Sequence, residues 1–123
     1  MNRTKSLIIA GLVLGSFVIA ANGRAANIGR TEYLTLKSAA ALPGVVLPPG
    51  TYTFERIEGH PDLVRVSNRL TNNVLYTGFT EVVRRQNRSG GPLTFGEAPR
   101  GEPMPIKAWF PDGSLIGNEF RHR

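Results

Sequence analysis

The stretch LPGVVLPPGTYTFE, residues 42–55, decides the fold class of this 123-residue chain. Two Leu-Pro corners and a Pro-Pro-Gly turn lead directly into a run of alternating apolar and polar side chains. Pro48 and Pro49 cannot donate a sheet hydrogen bond, so they mark a corner just before a strand begins. Because Pro49 presets φ and Gly50 tolerates a positive φ, we expect a type II turn at this corner. The turn would direct the following strand into a core, and this structural role requires no ligand.

Short alternating runs of this kind continue along the whole chain after residue 25. In the quoted stretch the alternation places Tyr52 and Phe54 on one face of a strand. Runs separated by Gly, Pro, Asn and Asp predict an all-β fold, a small single-domain β-sandwich or partly open barrel of about six to eight strands. One stretch, KSAAAL, is helix-prone, and it ends at Pro43 and Gly44. The predicted strands are EYLTLK (32–37), TYTFERI (51–57), LVRVSN (63–68), NVLYTGFTEVVRR (73–85), PLTFGE (92–97), PIKAWF (105–110) and LIGNEF (115–120).

The first 25 residues have the features of a secretory signal peptide. Arg3 and Lys5 precede an uncharged apolar run of 15 residues, 7–21. A membrane-spanning helix needs about 20 such residues, whereas the apolar part of a signal peptide needs roughly 7 to 15. Small residues that suit a cleavage site follow at Ala20, Gly23 and Ala25.

This pattern predicts a helical signal peptide in residues 1–25 and a β-domain in residues 26–123. The domain would be exported to the periplasm or the extracellular space, with no permanent membrane span after cleavage. An uncleaved membrane anchor is the alternative interpretation.

Composition limits the class of partner. The chain carries 15 Lys and Arg against 9 Asp and Glu, but three of those bases and none of the acids lie in the first 25 residues. The remaining 98 residues therefore carry a net charge of +3, which favours an acidic partner only weakly. An exported domain rarely meets nucleic acid, so we expect no nucleic-acid partner. The chain has no Cys, so the core has to be stable without disulfides.

Residue types needed for nucleophilic or metal catalysis are scarce. The chain has two His residues, His60 in the turn GHPD and His122 in the terminal RHR. A Ser-His-Asp arrangement would have to use one of them, and a zinc site normally needs more His or Cys ligands. A turn role is the simpler interpretation of His60. We therefore predict no catalytic residues, no metal site and no cofactor.

Four acids in the C-terminal third keep one enzymatic alternative open. Glycosidases use two carboxyl groups roughly 5 to 9 Å apart. Acids near turns are more often solvated or hydrogen-bonded to backbone. A carbohydrate-active extracytoplasmic hydrolase is therefore the alternative to a binding or structural role. The candidate carboxylates are Glu97, Glu102, Asp112 and Glu119.

A basic cluster supplies the first binding candidate. Arg84, Arg85 and Arg88 surround the predicted hairpin tip RRQNRSGG. They would suit an anionic glycan or the headgroups of a lipid surface. Alternatively, the charges only keep a strand edge soluble.

Trp109, the single Trp, is the second binding candidate, together with Lys107. By strand alternation Trp109 faces away from Ile106 and Phe110. An exposed indole would stack on a sugar ring or contact an envelope protein. Burial between sheets or under a loop is the alternative, since Trp is highly buried on average.

Four blocks together resemble a known family: ALPGVVLPPGTYTFE, VRVSNRLTNNVLYTGFTEVVRR, LTFGEAP and IKAWFPDGSLIGNEF. They are similar to segments of a family of small uncharacterised exported bacterial β-proteins that carry an LPGxxLPxGxYxFE turn-strand motif. Pro49 stands where similar proteins often have Ala. The resemblance implies a signal peptide and an exported β-domain, and it implies no activity.

Overall fold

A computed structural model describes residues 18–20 and 30–122 of the chain. The regular elements in these residues are strands and one 3-10 turn, Pro111–Gly113. In chain order the strands are β1 (Val18–Ala20), β2 (Thr31–Leu36), β3 (Ala40–Leu42), β4 (Val45–Leu47), β5 (Gly50–Arg56), β6 (Leu63–Asn68), β7 (Val74–Phe79), β8 (Glu81–Arg84), β9 (Leu93–Phe95), β10 (Met104–Trp109) and β11 (Ile116–Glu119). Residues 18–20 of the predicted signal peptide form β1. The rest of the predicted signal-peptide helix lies outside the described residues.

Two sheets make up the fold. The five-stranded sheet has the order β1-β2-β5-β6-β7, and all of its neighbours are antiparallel. The six-stranded sheet has the order β4-β3-β10-β11-β8, with β9 also paired to β10. The prediction of an all-β fold is confirmed, and the arrangement is consistent with a β-sandwich.

The core is built from the alternating residues of both sheets. Leu34, Phe54 and Val66 come from neighbouring strands of the five-stranded sheet, and each is fully buried. Leu42, Leu47, Ile106, Trp109 and Phe120 contribute from the other side. Burying one large apolar side chain stabilises a fold by about 1.5–3 kcal/mol, so this cluster supplies the stability that disulfides would otherwise add.

More and shorter strands form than the sequence predicts. NVLYTGFTEVVRR contains two strands, β7 and β8, that belong to different sheets. Thr80 separates them, because its backbone N–H and its Oγ1 both donate to the carbonyl of Asp62, at 2.7 and 2.8 Å. KSAAAL contains a strand, β3, because Ala40–Leu42 pairs with β4 and β10. Tertiary pairing therefore overrides the local helix propensity of that stretch.

The quoted turn differs from the prediction at Gly50. Gly50 has no positive φ; it is the first residue of β5 and pairs with Leu36. Positive φ occurs at Gly44 instead, at 81°, in the turn between β3 and β4. Since β4 and β5 belong to different sheets, Pro48 and Pro49 form a crossover between sheets rather than a tight reversal. Gly113, in the turn between β10 and β11, also has a positive φ, 68°.

Tyr52 fixes this crossover. Its side chain is buried, and its hydroxyl donates a hydrogen bond to the carbonyl of Pro48, four residues earlier. Burial raises the pKa of the Tyr52 hydroxyl above its ordinary value of 10.0, so it stays a proton donor. The predicted structural role of Pro48, Pro49 and Tyr52 therefore has a specific contact behind it.

Tyr52→Phe should lower the free energy of unfolding by about 1 kcal/mol, the net contribution of one hydrogen bond. Gly50→Ala is the matched control, since a Cβ there would make only ordinary contacts with the Tyr52 ring. Urea denaturation of both variants measures the difference. A larger loss for Gly50→Ala than for Tyr52→Phe would contradict this account of the crossover.

Candidate functional site

Trp109 is fully buried, which corrects the prediction of an exposed platform. The reason is a bulge in β10: Ile106 pairs with Phe95 and Ala108 pairs with the adjacent Thr94, so Lys107 is the extra residue. One extra residue reverses the alternation, and Trp109 therefore joins Ile106 in the core. Lys107 itself is exposed. The alternative interpretation of Trp109, burial between the sheets, is the arrangement that the structure has.

Glu32 is the hydrogen-bond partner of the buried indole. Its carboxylate Oε1 accepts from Trp109 Nε1 at 2.9 Å and from the backbone N–H of Asp112 at 3.1 Å. The second oxygen, Oε2, is buried and has no hydrogen-bond partner in the described part of the chain. Only 2% of Glu32 is exposed, and burial raises its pKa above the ordinary 4.5.

Sequence reasoning missed Glu32, although a signal was present. In β2, Glu32 has the same parity as Leu34 and Leu36, which are both buried. An acid at such a position has to be buried, and a buried acid needs a donor. Trp109 was the only indole that could supply it.

A second buried polar contact joins the sheets at Asn118, on β11. Its Oδ1 accepts from Arg56 Nε and Nη2, at 3.1 and 2.6 Å. Its Nδ2 donates to the carbonyl of Pro61 at 2.8 Å and to Thr80 Oγ1 at 2.9 Å. All hydrogen-bonding atoms of this fully buried amide are therefore satisfied. Burial, and secondarily the charge of Arg30, lowers the pKa of Arg56 below its ordinary value.

These buried groups hold the sheets together and are closed to solvent. Glu32 and Asn118 are at most 2% exposed, so neither can reach a ligand in this conformation. The Arg56 guanidinium also lies 5.9 Å from the centre of the Trp109 ring, which connects the two contacts. We assign this set a structural role.

The basic tip, residues 84–91, is the surface feature with the most unusual geometry. Arg85 lies over the ring of Phe110, with Cζ 4.0 Å from the ring centre, and its Nε donates to the carbonyl of Ser114 at 3.1 Å. The loop backbone covers it: a Cβ on Gly90 would lie 3.1 Å from Arg85 Nη1. Phe110 is itself packed against Gly117, where a Cβ would lie 2.5 Å from the ring.

The positive charges of the tip are not compensated. Arg85 Nη1 and Nη2 are buried without a hydrogen-bond partner among the described residues. Arg84 and Arg88 are exposed, and no acid occurs between Glu81 and Glu97. The ion pairs found within residues 30–122 are Arg30–Asp112, Arg65–Glu55 and Arg121–Glu81, and none includes the tip. Burial, with the Arg88 charge adding to it, lowers the pKa of Arg85 below its ordinary value.

The carboxylates proposed for catalysis do not lie on one element: Glu97 and Glu102 share the loop between β9 and β10, Asp112 lies in the 3-10 turn, and Glu119 lies on β11. Glu119 lies directly opposite Glu81 in the β8–β11 pair, and Arg121 binds Glu81 at 3.2 Å. The other three, Glu97, Glu102 and Asp112, are exposed in loops and a turn. His60 lies in an exposed turn, as its sequence context predicts. Within the described residues, no group of three or more His, Asp or Glu side chains is placed to hold a metal ion.

Comparisons with protein-family models, curated proteins and solved structures found no match. The resemblance to small exported bacterial β-proteins therefore remains a prediction. Among the described residues, none of the helical segments is long and apolar enough to cross a membrane.

Glu32 should make stability depend on pH. Because its pKa is raised in the folded state, the protonated form is favoured there, and the stabilisation is complete below about pH 4.5 and lost as pH rises through the folded pKa. Glu32→Gln keeps an acceptor for Trp109 but cannot ionise, so this loss should disappear. Denaturant unfolding followed by Trp109 fluorescence at pH 4 and pH 8 measures it. The exposed Glu97→Gln is the control, and parallel pH profiles for Glu32→Gln and wild type would contradict the prediction.

Proposed function

We propose that this chain is an exported cell-envelope β-domain that binds an anionic glycan or lipid surface through its basic tip. The observation that carries the proposal is the set of three arginines, Arg84, Arg85 and Arg88, without an acidic partner in the described structure. Arg85 lies on the ring of Phe110, and its Nη1 and Nη2 atoms are buried without a hydrogen-bond partner among the described residues. A protein that only needed a soluble strand edge would gain nothing from burying part of such a charge.

The physical chemistry of the tip favours an anion. Buried polar groups without partners are costly, and neighbouring like charges raise that cost, as the lowered pKa of Arg85 reflects. A phosphate or carboxylate would supply the missing hydrogen-bond acceptors and would also offset the repulsion between the positive charges. Guanidinium groups bind these anions through paired, charge-assisted hydrogen bonds. Arg84 and Arg88 are both exposed and would attract the anion. Contact between the anion and Arg85 would require a small opening of the loop that covers Arg85.

Export is the second part of the proposal. It is supported by the apolar run 7–21 with its basic start and small residues after it, and by the resemblance to exported proteins. The absence of Cys fits a domain that relies on its core alone. The finer assignment of the domain, residues 26–123 closing as a β-sandwich, belongs to the same proposal.

Processing should leave a mature chain that begins between Ala21 and Ala26. Intact-mass spectrometry of protein recovered from the exterior or the periplasm of an expressing bacterium measures the start. The cytoplasmic fraction of the same cells is the control and should contain the unprocessed chain. A mature form that retains Met1 or Leu7 would contradict export by a cleaved signal peptide.

Hydrolysis of carbohydrate remains the alternative, and the directly opposed pair of carboxylates that it would use is Glu119 with Glu81. Residues directly opposite in an antiparallel pair have Cβ atoms about 4.5–5.5 Å apart, so their two carboxyl groups can reach the separation of about 5–5.5 Å that a retaining glycosidase uses. Arg121, however, already binds Glu81. The unpaired charges of the basic tip therefore make binding the function that the geometry supports best.

Arg84→Gln/Arg88→Gln should weaken binding to vesicles that contain anionic lipid, or to an anionic polysaccharide. Each basic residue near an anionic surface contributes about 1 kcal/mol, so the double variant should lose roughly tenfold or more in affinity. Wild-type binding should also fall as salt rises. Vesicle cosedimentation and polysaccharide titration measure the two surfaces separately.

Lys37→Gln/Arg100→Gln is the matched control, because both residues are exposed and the change in net charge is identical. An equal loss in both double variants would show that net charge alone attracts the surface. Absence of binding to both probes at low salt would reject the anion-binding proposal.

A further inference from the structure

β1 occupies the edge of the five-stranded sheet in the full chain. Ile19 lies opposite Thr35, with Val18 opposite Leu36 and Ala20 opposite Leu34, in antiparallel register. The strand β2 therefore has a neighbour on each side, β1 and β5. All three residues of β1 belong to the segment whose removal is proposed above, so the inference in this subsection rests on the proposed export and processing.

Removal of β1 leaves β2 as an edge strand without protection. Natural edges are shielded by charged residues, Pro, bulges or very short strands. The part of β2 that pairs with β1, Leu34 to Leu36, has none of these features. The edges of the other sheet differ, since β4 has only three residues and β8 carries Glu81 and Arg84. The unpaired backbone groups of β2 would then be a template for another strand.

We propose that the edge exposed by processing pairs with β2 of a second copy of this chain. An antiparallel pair with its two-fold axis at Thr35 sets Leu34 opposite Leu36, so the same apolar inner face continues from one copy to the other. In this register Lys37 would face Tyr33 and Glu32 would face Ser38, and no like charges oppose each other. Such a contact is self-complementary, as a two-fold dimer requires. The segment 18–20 keeps the edge covered until it is removed.

The register can be tested by cysteine trapping, because the chain contains no native Cys. In the proposed dimer the two Thr35 residues face each other, and directly opposed residues in antiparallel strands lie about 4.5–5.5 Å apart at Cα, within disulfide range. Thr35→Cys should therefore form a disulfide-linked dimer after processing. Thr53→Cys is the matched control: Thr53 lies on the interior strand β5, opposite Tyr33 and so on the same face as Thr35, but two copies of it would be too far apart to link.

The dimer can be tested in vitro, on protein that has not been exported. A recognition sequence for a site-specific protease, placed between Ala21 and Ala26 of the full chain, allows β1 to be released in vitro. We expect the uncleaved chain to be monomeric by light scattering, and cleavage to double its mass and to permit linkage through Thr35→Cys only. Failure of processing in cells, seen by mass spectrometry, would reject the export proposal but leave this result standing.

Four results would overturn the inference. They are a cleaved chain that stays monomeric, a dimer that Thr35→Cys does not link, a dimer already linked through Thr35→Cys before cleavage, and loss of the folded Trp109 fluorescence on cleavage. The second result would indicate the opposite edge, β7, where Val74 and Phe79 are exposed.

Discussion

The hydrogen bond from the Trp109 indole to the Glu32 carboxylate is the contact on which the arrangement of the two sheets depends. It joins β10 of one sheet to β2 of the other at a point without solvent access, where an unpaired carboxylate would be costly. The same oxygen accepts the backbone N–H of Asp112, so it also fixes the turn that leads from β10 to β11. Phe54 packs on the indole at 5.6 Å between ring centres. Apolar packing brings the sheets together, and the hydrogen bond determines how they align.

The core and the candidate binding surface are coupled through two consecutive residues. Trp109 points into the core, and Phe110 points the other way and supports Arg85 from below. The bulge at Lys107 decides which of the two faces inward. A change in the core at Trp109 would therefore shift the support of the basic tip. For this reason, loss of anion binding in a core variant would not by itself identify a binding residue.

The N-terminal segment would have two physical roles if the chain is exported. Its apolar run addresses the chain to the export machinery, and Val18–Ala20 covers an edge strand in the meantime. Covered edges do not pair with other chains, which is an advantage for a β-protein before it reaches its destination. Anion binding at the basic tip and strand pairing at β2 involve different strands of different sheets, so both can occur on one molecule.

The sequence by itself determined the all-β class, the shared face of Tyr52 and Phe54 in β5, and the arginines of the basic tip. These features depend on alternation and composition, which are local. Parity along β2 would also have identified Glu32 as a buried acid.

Only the tertiary structure decided that Trp109 is buried, that KSAAAL contains a strand, that Gly50 lies in extended backbone, and that Thr80 and the Pro48–Pro49 corner transfer the chain between sheets. Four of these depend on a pairing or hydrogen-bond partner far away in the sequence: Phe95 and Thr94 for the bulge, β10 for the strand in KSAAAL, Asp62 for Thr80, and Leu36 for Gly50. Local propensity carries no information about such partners, because the energy of a strand is set mainly by the neighbours with which it pairs.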